Sequence, residues 1–139
     1  NGKEIRTISK KFEEKYKNKI FAFDSLGSNL YLSLMKISSL VVGNSSSGII
    51  EAPYLGVASL DIGERQKGRM FSPSVIHSKD NLRDIKKNLK RALSSAHRDL
   101  SAKKKSIYGK HGASKKIYKI IKNHNFSNLL IKEFYDWEK

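Results

Sequence analysis

The stretch LVVGNSSSGIIEAPYLGVASLDIGERQKGR, residues 40–69, decides the fold. Leu40-Val41-Val42 is a short apolar run rich in β-branched residues, the composition of a strand buried inside a sheet. It stops at Gly43-Asn44. Ser45 to Gly48 reads as a turn, and Ile49 to Leu55 as a short helix. Pro53 falls in the first turn of that helix, where the amide it lacks has no intrahelical partner anyway. Gly56 stops the helix, and Val57 to Ile62 is the next strand. Residues 63–72 form a polar loop with Gly63, Arg65, Gly68 and Arg69.

Working outward, residues 3–17 place Ile5, Ile8, Phe12 and Tyr16 at helical spacing, and Asn18 closes that helix. Ile20 to Phe23, a short apolar run, reads as a strand. Asp24-Ser25-Leu26-Gly27 is a turn, and Leu30 to Ile37 a helix with Leu30, Leu34 and Ile37 on one face. Downstream, Ser74 to His77 is a strand and Asn81 to Ser94 a helix with Leu82, Ile85, Leu89 and Leu93 in register. A glycine-containing turn at 109–112 precedes a helix over Ala113 to Asn123, and residues 126–137 are amphipathic.

This alternation predicts a Rossmann-like parallel α/β sheet flanked by helices and joined by right-handed crossovers. Residues 1–123 form that domain and 124–139 a helical extension. The chain opens on a helix and without methionine, so an N-terminal piece of the domain, including its first strand, is expected to be missing. Ligands of such sheets lie beyond the carboxyl ends of the strands. The segments expected there are 24–31, 43–51 and 61–69.

The formal charge of +15 invites a nucleic-acid reading, but its distribution argues against one. Residues 1–18, 19–78 and 79–139 carry +3, +1 and +11, so the Gly/Ser-rich middle is almost neutral. The excess lies on lysine-rich helical segments whose ordinary role is a solvated face. The aromatics are not interleaved with those lysines as a base-stacking platform needs. There is no cysteine, which excludes disulfides and thiolate metal sites and fits a cytoplasmic protein. No two histidines have ligand spacing, so no metal is expected. No apolar run reaches the ~20 residues that span a bilayer, and no membrane partner is expected.

Residues 43–48 put a tight small-residue turn between a strand and a helix. Free amides and serine hydroxyls at such a place attract an anion. One capping serine would explain one serine; Ser45, Ser46 and Ser47 exceed that need, and Gly48 lets a phosphate approach the backbone. Glu51 either complements the helix or accepts hydrogen bonds from a sugar diol. Arg65 and Arg69 are either surface arginines or the forks of a diphosphate clamp. His77 reads as a strand-end residue, His97 and His124 as surface residues, and His111 as part of a turn. The apolar stripe of Phe126, Leu129, Leu130, Phe134 and Trp137 reads as a helix face.

GNSSSGIIEAP (43–53) and IGERQKGR (62–69), within residues 31–69, resemble the C-terminal domain of hydrolysing UDP-N-acetylglucosamine 2-epimerases. Non-hydrolysing relatives have an aspartate-serine-glycine-glycine turn in this place. Tyr108-Gly109-Lys110-His111-Gly112-Ala113-Ser114 resembles the turn before the family's last helix. The resemblance covers residues 1–123. It implies the C-terminal half of a glycosyltransferase-B-type two-domain fold, working as a homo-oligomer and without a cofactor. It implies that Ser45 and Ser46 contact phosphate, Glu51 the ribose, Arg65 the diphosphate or sugar, and Leu26-Gly27 the uracil. The family's reaction eliminates UDP to a glycal and adds water, giving N-acetylmannosamine. Its acid/base carboxylates lie in an N-terminal domain that nothing here resembles, so this chain is expected to bind UDP or a UDP-sugar without itself removing the proton. The alternatives are the nucleotide-sugar half of a glycosyltransferase of the same fold, or a small basic nucleic-acid binder.

Overall fold

The computed structural model of the chain describes residues 2–109 and 111–127. The chain divides into two units, Asn1–Ile107 and Tyr108–Lys139. The first contains helix α1 (Gly2–Lys15), helix α2 (Gly27–Ile37), strand β1 (Val41–Gly43), helix α3 (Glu51–Leu55), strand β2 (Ser59–Ile62), strand β3 (Val75–Ser78), helix α4 (Leu82–Ala92) and helix α5 (Ser95–Ala102). Two 3-10 turns, Ser46–Gly48 and Glu64–Gln66, interrupt the connections that leave β1 and β2.

The three strands form a parallel sheet in the order β1-β2-β3. Val42, Leu60 and Ile76 share one row of the register, and Val41, Ser59 and Val75 the next. Because side chains alternate between faces, these rows point to opposite sides of the sheet. Leu60 and Ile76 are buried beneath Ala92 and Leu89 of α4, with Leu40 and Ile62 at the edge of that cluster. On the other side Val41 packs with Met35 of α2 and with Ala52 and Val57 around α3. Helices thus cover both faces, as the alternation of elements predicts. β2 and β3 are joined by residues 63–74, a connection with a 3-10 turn and no α-helix.

Two expectations fail. Ile20 to Phe23 is not a strand: it joins no ladder, and Phe21 and Phe23 are each 64% exposed. The Ala22 amide donates to the Glu13 carboxylate at 2.9 Å, where a strand would donate to a neighbouring strand. His97 is not a surface residue; it is 7% exposed. It lies on α5, an element the sequence pattern did not reveal, and its Nε2 donates to the Ser74 carbonyl at 3.1 Å. That bond fixes α5 to the residue leading into β3.

Capping chemistry sets the ends of α4 and α5. The Asn81 side chain accepts from the Asp84 amide at 2.9 Å, and Ser94 Oγ accepts from the His97 amide at 3.3 Å. The second unit contains helix α6 (Ala113–Asn123), entered through Gly112 in the left-handed region at φ 94°. Ile117, Tyr118, Ile120 and Ile121 are exposed on it. The amphipathic segment 126–137 lies outside the described residues from 128 onward.

Candidate functional site

The serine turn begins where β1 ends. Ser45 is extended (φ −78°, ψ 147°) and caps the Ser46–Gly48 turn, its Oγ accepting from the Ser47 amide at 3.3 Å. The Ser45 carbonyl accepts from the Gly48 amide at 3.1 Å, and the Ser46 carbonyl from Ile49 and Ile50 at 2.9 Å. Four amides are therefore turned inward, while those of Ser45 and Ser46 have no partner among the described residues. Ser45 is exposed, and Ser46 and Ser47 are half-buried. The turn therefore offers hydroxyls and two amides at the surface.

The helix that follows adds little to this turn, and the reading of Gly48 needs correction. The helix after it, α3, has only five residues and is separated from the serines by a 3-10 turn. A helix that short sums few peptide dipoles, so attraction for an anion must come from the amides and hydroxyls themselves. Gly48 is buried and serves packing: a Cβ there would lie 2.7 Å from Ser59 Oγ on β2. Its missing side chain lets the turn sit down on the sheet and is not turned toward a ligand.

Glu51 is the first residue of α3 and is partly buried. Its Oε2 is buried and has no hydrogen-bond partner. A buried carboxylate oxygen without a donor is costly, and a ligand hydroxyl is one way to satisfy it.

The loop after β2 folds back onto the serine turn. Gln66, only 4% exposed, donates from Nε2 to the Asn44 carbonyl at 2.7 Å. Arg65 donates from its guanidinium to Asn44 Oδ1 at 3.4 Å. Two segments about twenty residues apart thus meet at Asn44, with Arg65 exposed beside the serines. Neither Asn44 nor Gln66 stood out from the sequence. Their signal was available only as polar residues inside the two motif stretches. Arg69 is exposed, and its side chain makes no hydrogen bond or ion pair among the described residues. Leu26 and Gly27 open α2, with the Gly27 amide donating to Ser25 Oγ at 3.3 Å, and no hydrogen bond joins them to the serine turn.

A concavity of about 290 Å³ lies between α1 and residues 22–24, and another lies along α6. Among the described residues, no three His, Cys, Asp or Glu side chains are grouped to hold a metal ion, and no helix is long and apolar enough to cross a membrane.

A family model described as UDP-N-acetylglucosamine 2-epimerase matches residues 1–122. The chain is 37% identical over 137 residues to the GDP/UDP-N,N'-diacetylbacillosamine 2-epimerase (hydrolyzing) of Campylobacter jejuni, covering 98% of this chain and 35% of that protein. It is 43% identical over 68 residues to a UDP-N-acetylglucosamine 2-epimerase of Neisseria meningitidis serogroup B, which is 49% of this chain and 18% of the relative. It is 54% identical over 52 residues to the polysialic acid biosynthesis protein P7 of Escherichia coli, 37% of this chain and 13% of the relative. The chain spans about a third of the length of the Campylobacter protein and less of the other two.

Proposed function

The chain belongs to the UDP-N-acetylglucosamine 2-epimerase family, and on that premise we propose that its serine turn and arginine loop hold the UDP of a UDP-2-acetamido sugar. In this reading the Ser45 and Ser46 amides and hydroxyls, with Ser47, receive the diphosphate. Arg65 neutralises it from the opposite side, and Glu51 accepts from the ribose hydroxyls. The observation that carries the proposal is the junction at Asn44, which brings Arg65 to the serines while Glu51 Oε2 stays buried and unpartnered next to them. Gly48 shapes the turn without touching the ligand. Leu26, Gly27 and Arg69 stay as outer candidates, for uracil and for the sugar or diphosphate.

The enzyme of which these residues form the nucleotide site is a hydrolysing epimerase that converts UDP-N-acetylglucosamine to N-acetylmannosamine and UDP, in the cytoplasm and as a homo-oligomer. Loss of UDP concentrates charge on the departing diphosphate. Donors already fixed around it stabilise that charge without reorganising during the step. The site supplies this part of the chemistry, and the proton abstraction at the sugar falls to residues of the companion domain. The name of the Campylobacter relative adds a diacetamido sugar as the competing substrate. Incubating the full-length enzyme with each UDP-sugar and following products by NMR tests the proposal. Free UDP with N-acetylmannosamine is the expected outcome. A sugar transferred to an acceptor, with no free 2-epimer, would instead assign the site to a glycosyltransferase.

A further inference from the structure

Asn44 lies between Gly43, the last residue of β1, and Ser45, the cap of the serine turn. Its backbone and its side chain make separate contacts. The carbonyl accepts from Gln66 Nε2 at 2.7 Å, a bond that any residue at this position could accept. The side-chain oxygen accepts from Arg65 Nη1 at 3.4 Å. A guanidinium can only donate, so the carboxamide oxygen faces it and the NH2 group is left over. That group makes no hydrogen bond among the described residues. It carries two donors on an exposed residue, directly before the unpartnered amides of Ser45 and Ser46. Arg65 has no carboxylate within ion-pair distance among the described residues. Glu64, its neighbour in the chain, lies 3.5 Å from Lys67 Nζ, and Asp61 Oδ2 lies 3.0 Å from His77 Nδ1. A neutral acceptor therefore holds Arg65, and its charge stays available to an anion.

Resting on the reading of the serine turn and arginine loop as the UDP site, we infer that Asn44 is a further diphosphate-binding residue. Its side-chain oxygen holds Arg65, and its NH2 group donates to the same anion that Ser45, Ser46 and Arg65 receive. A carboxylate at this position would accept from Arg65 at least as well. It would have no donor for the diphosphate, and it would set a negative charge beside it. A mere tether for Arg65 is served by either side chain. Only contact with an anion requires the amide.

The test is calorimetric titration of the full chain with UDP at low salt, with urea unfolding alongside, for wild type, Asn44→Asp, Asn44→Ala, Arg65→Ala and the Asn44→Ala/Arg65→Ala pair. Aspartate has the shape of asparagine and keeps the oxygen that faces Arg65, so Asn44→Asp should unfold at the wild-type urea concentration or above it. Its UDP affinity should nevertheless fall about ten- to thirtyfold. Asn44→Ala removes the donor without adding a charge and should lose about three- to tenfold. In the Arg65→Ala background Asn44→Ala should still cost about twofold or more, because the NH2 contact does not pass through the arginine. Wild-type or tighter UDP binding by Asn44→Asp, or a smaller loss in it than in Asn44→Ala, would reduce Asn44 to a tether and overturn the inference. Disappearance of the Asn44→Ala loss in the Arg65→Ala background would overturn it as well, and this comparison decides if Asn44→Asp fails to fold. Unchanged binding in both Asn44 variants beside weakened binding in Arg65→Ala would overturn it while leaving the UDP site standing. A wild-type chain that binds no UDP removes both.

Discussion

The side-chain amide of Gln66 donates to the backbone carbonyl of Asn44 at 2.7 Å, fixing the arginine loop to the residue that opens the serine turn. Gln66→Leu keeps the volume and removes the donor, leaving a carbonyl unpaired beneath the loop. We expect a loss of about 1–2 kcal/mol in stability. UDP affinity should fall as well, because Arg65 is next along the chain. Urea unfolding and UDP titration of the same variant measure the two effects. Unchanged values in both would mean that the bond does not couple the segments.

Gly48 and Ser59 make a second prediction possible. Gly48→Ala places a Cβ 2.7 Å from Ser59 Oγ, a distance that forces the buried serine or the turn to shift. The variant should lose about 1–3 kcal/mol of stability. Ser59→Ala removes the clashing oxygen, and the nearest remaining atom, Ser59 Cβ, is 4.0 Å away. The double variant should therefore recover most of the loss, which a thermal denaturation cycle of the four proteins would read. Losses that simply add would show that the clash is not the cause.

Leu60 is fully buried in β2, with Ile76 and Ala92 around it. Leu60→Ala opens a cavity under α4 and should cost about 2–5 kcal/mol. Asn81→Ala, which removes only the cap that accepts from the Asp84 amide, should cost about 1 kcal/mol. The order of the two in urea unfolding checks that the core under α4 outweighs the cap.

Much of this architecture was legible in the residues. β1, β2 and β3 follow from short β-branched runs bounded by glycine or polar turns, and α6 has the bounds that its apolar spacing predicts. The burial of His97 was not legible. The α5 segment SAHRDLSA has one large apolar residue, Leu100, so hydrophobic periodicity is silent. Its helix is announced only by the Ser94 cap, and its docking depends on a carbonyl of Ser74 twenty-three residues away. Ile20 to Phe23 failed in the opposite direction. Apolar composition favours a strand, but a strand exists only where a neighbouring strand accepts its hydrogen bonds, and composition does not encode that pairing.

The serine turn and the arginine loop that the motifs single out meet at Asn44 in the fold. The physical role of Gly48 was misjudged because φ and contact geometry, not residue type, decide whether a glycine faces a ligand or a neighbouring strand. Asn44 and Gln66 were missed because a bond between a side chain and a distant backbone carbonyl leaves no spacing signal. The contact of His77 Nδ1 with Asp61 Oδ2 at 3.0 Å was not legible either, because register alone makes the two residues adjacent.

The most direct test of the nucleotide site is calorimetric titration of the 139-residue chain with UDP, set against its Ser45→Ala, Glu51→Gln and Arg65→Ala variants. Saturable binding by wild type is expected, with each substitution removing about 1–3 kcal/mol of affinity. Wild-type affinity retained in all three variants would contradict the account.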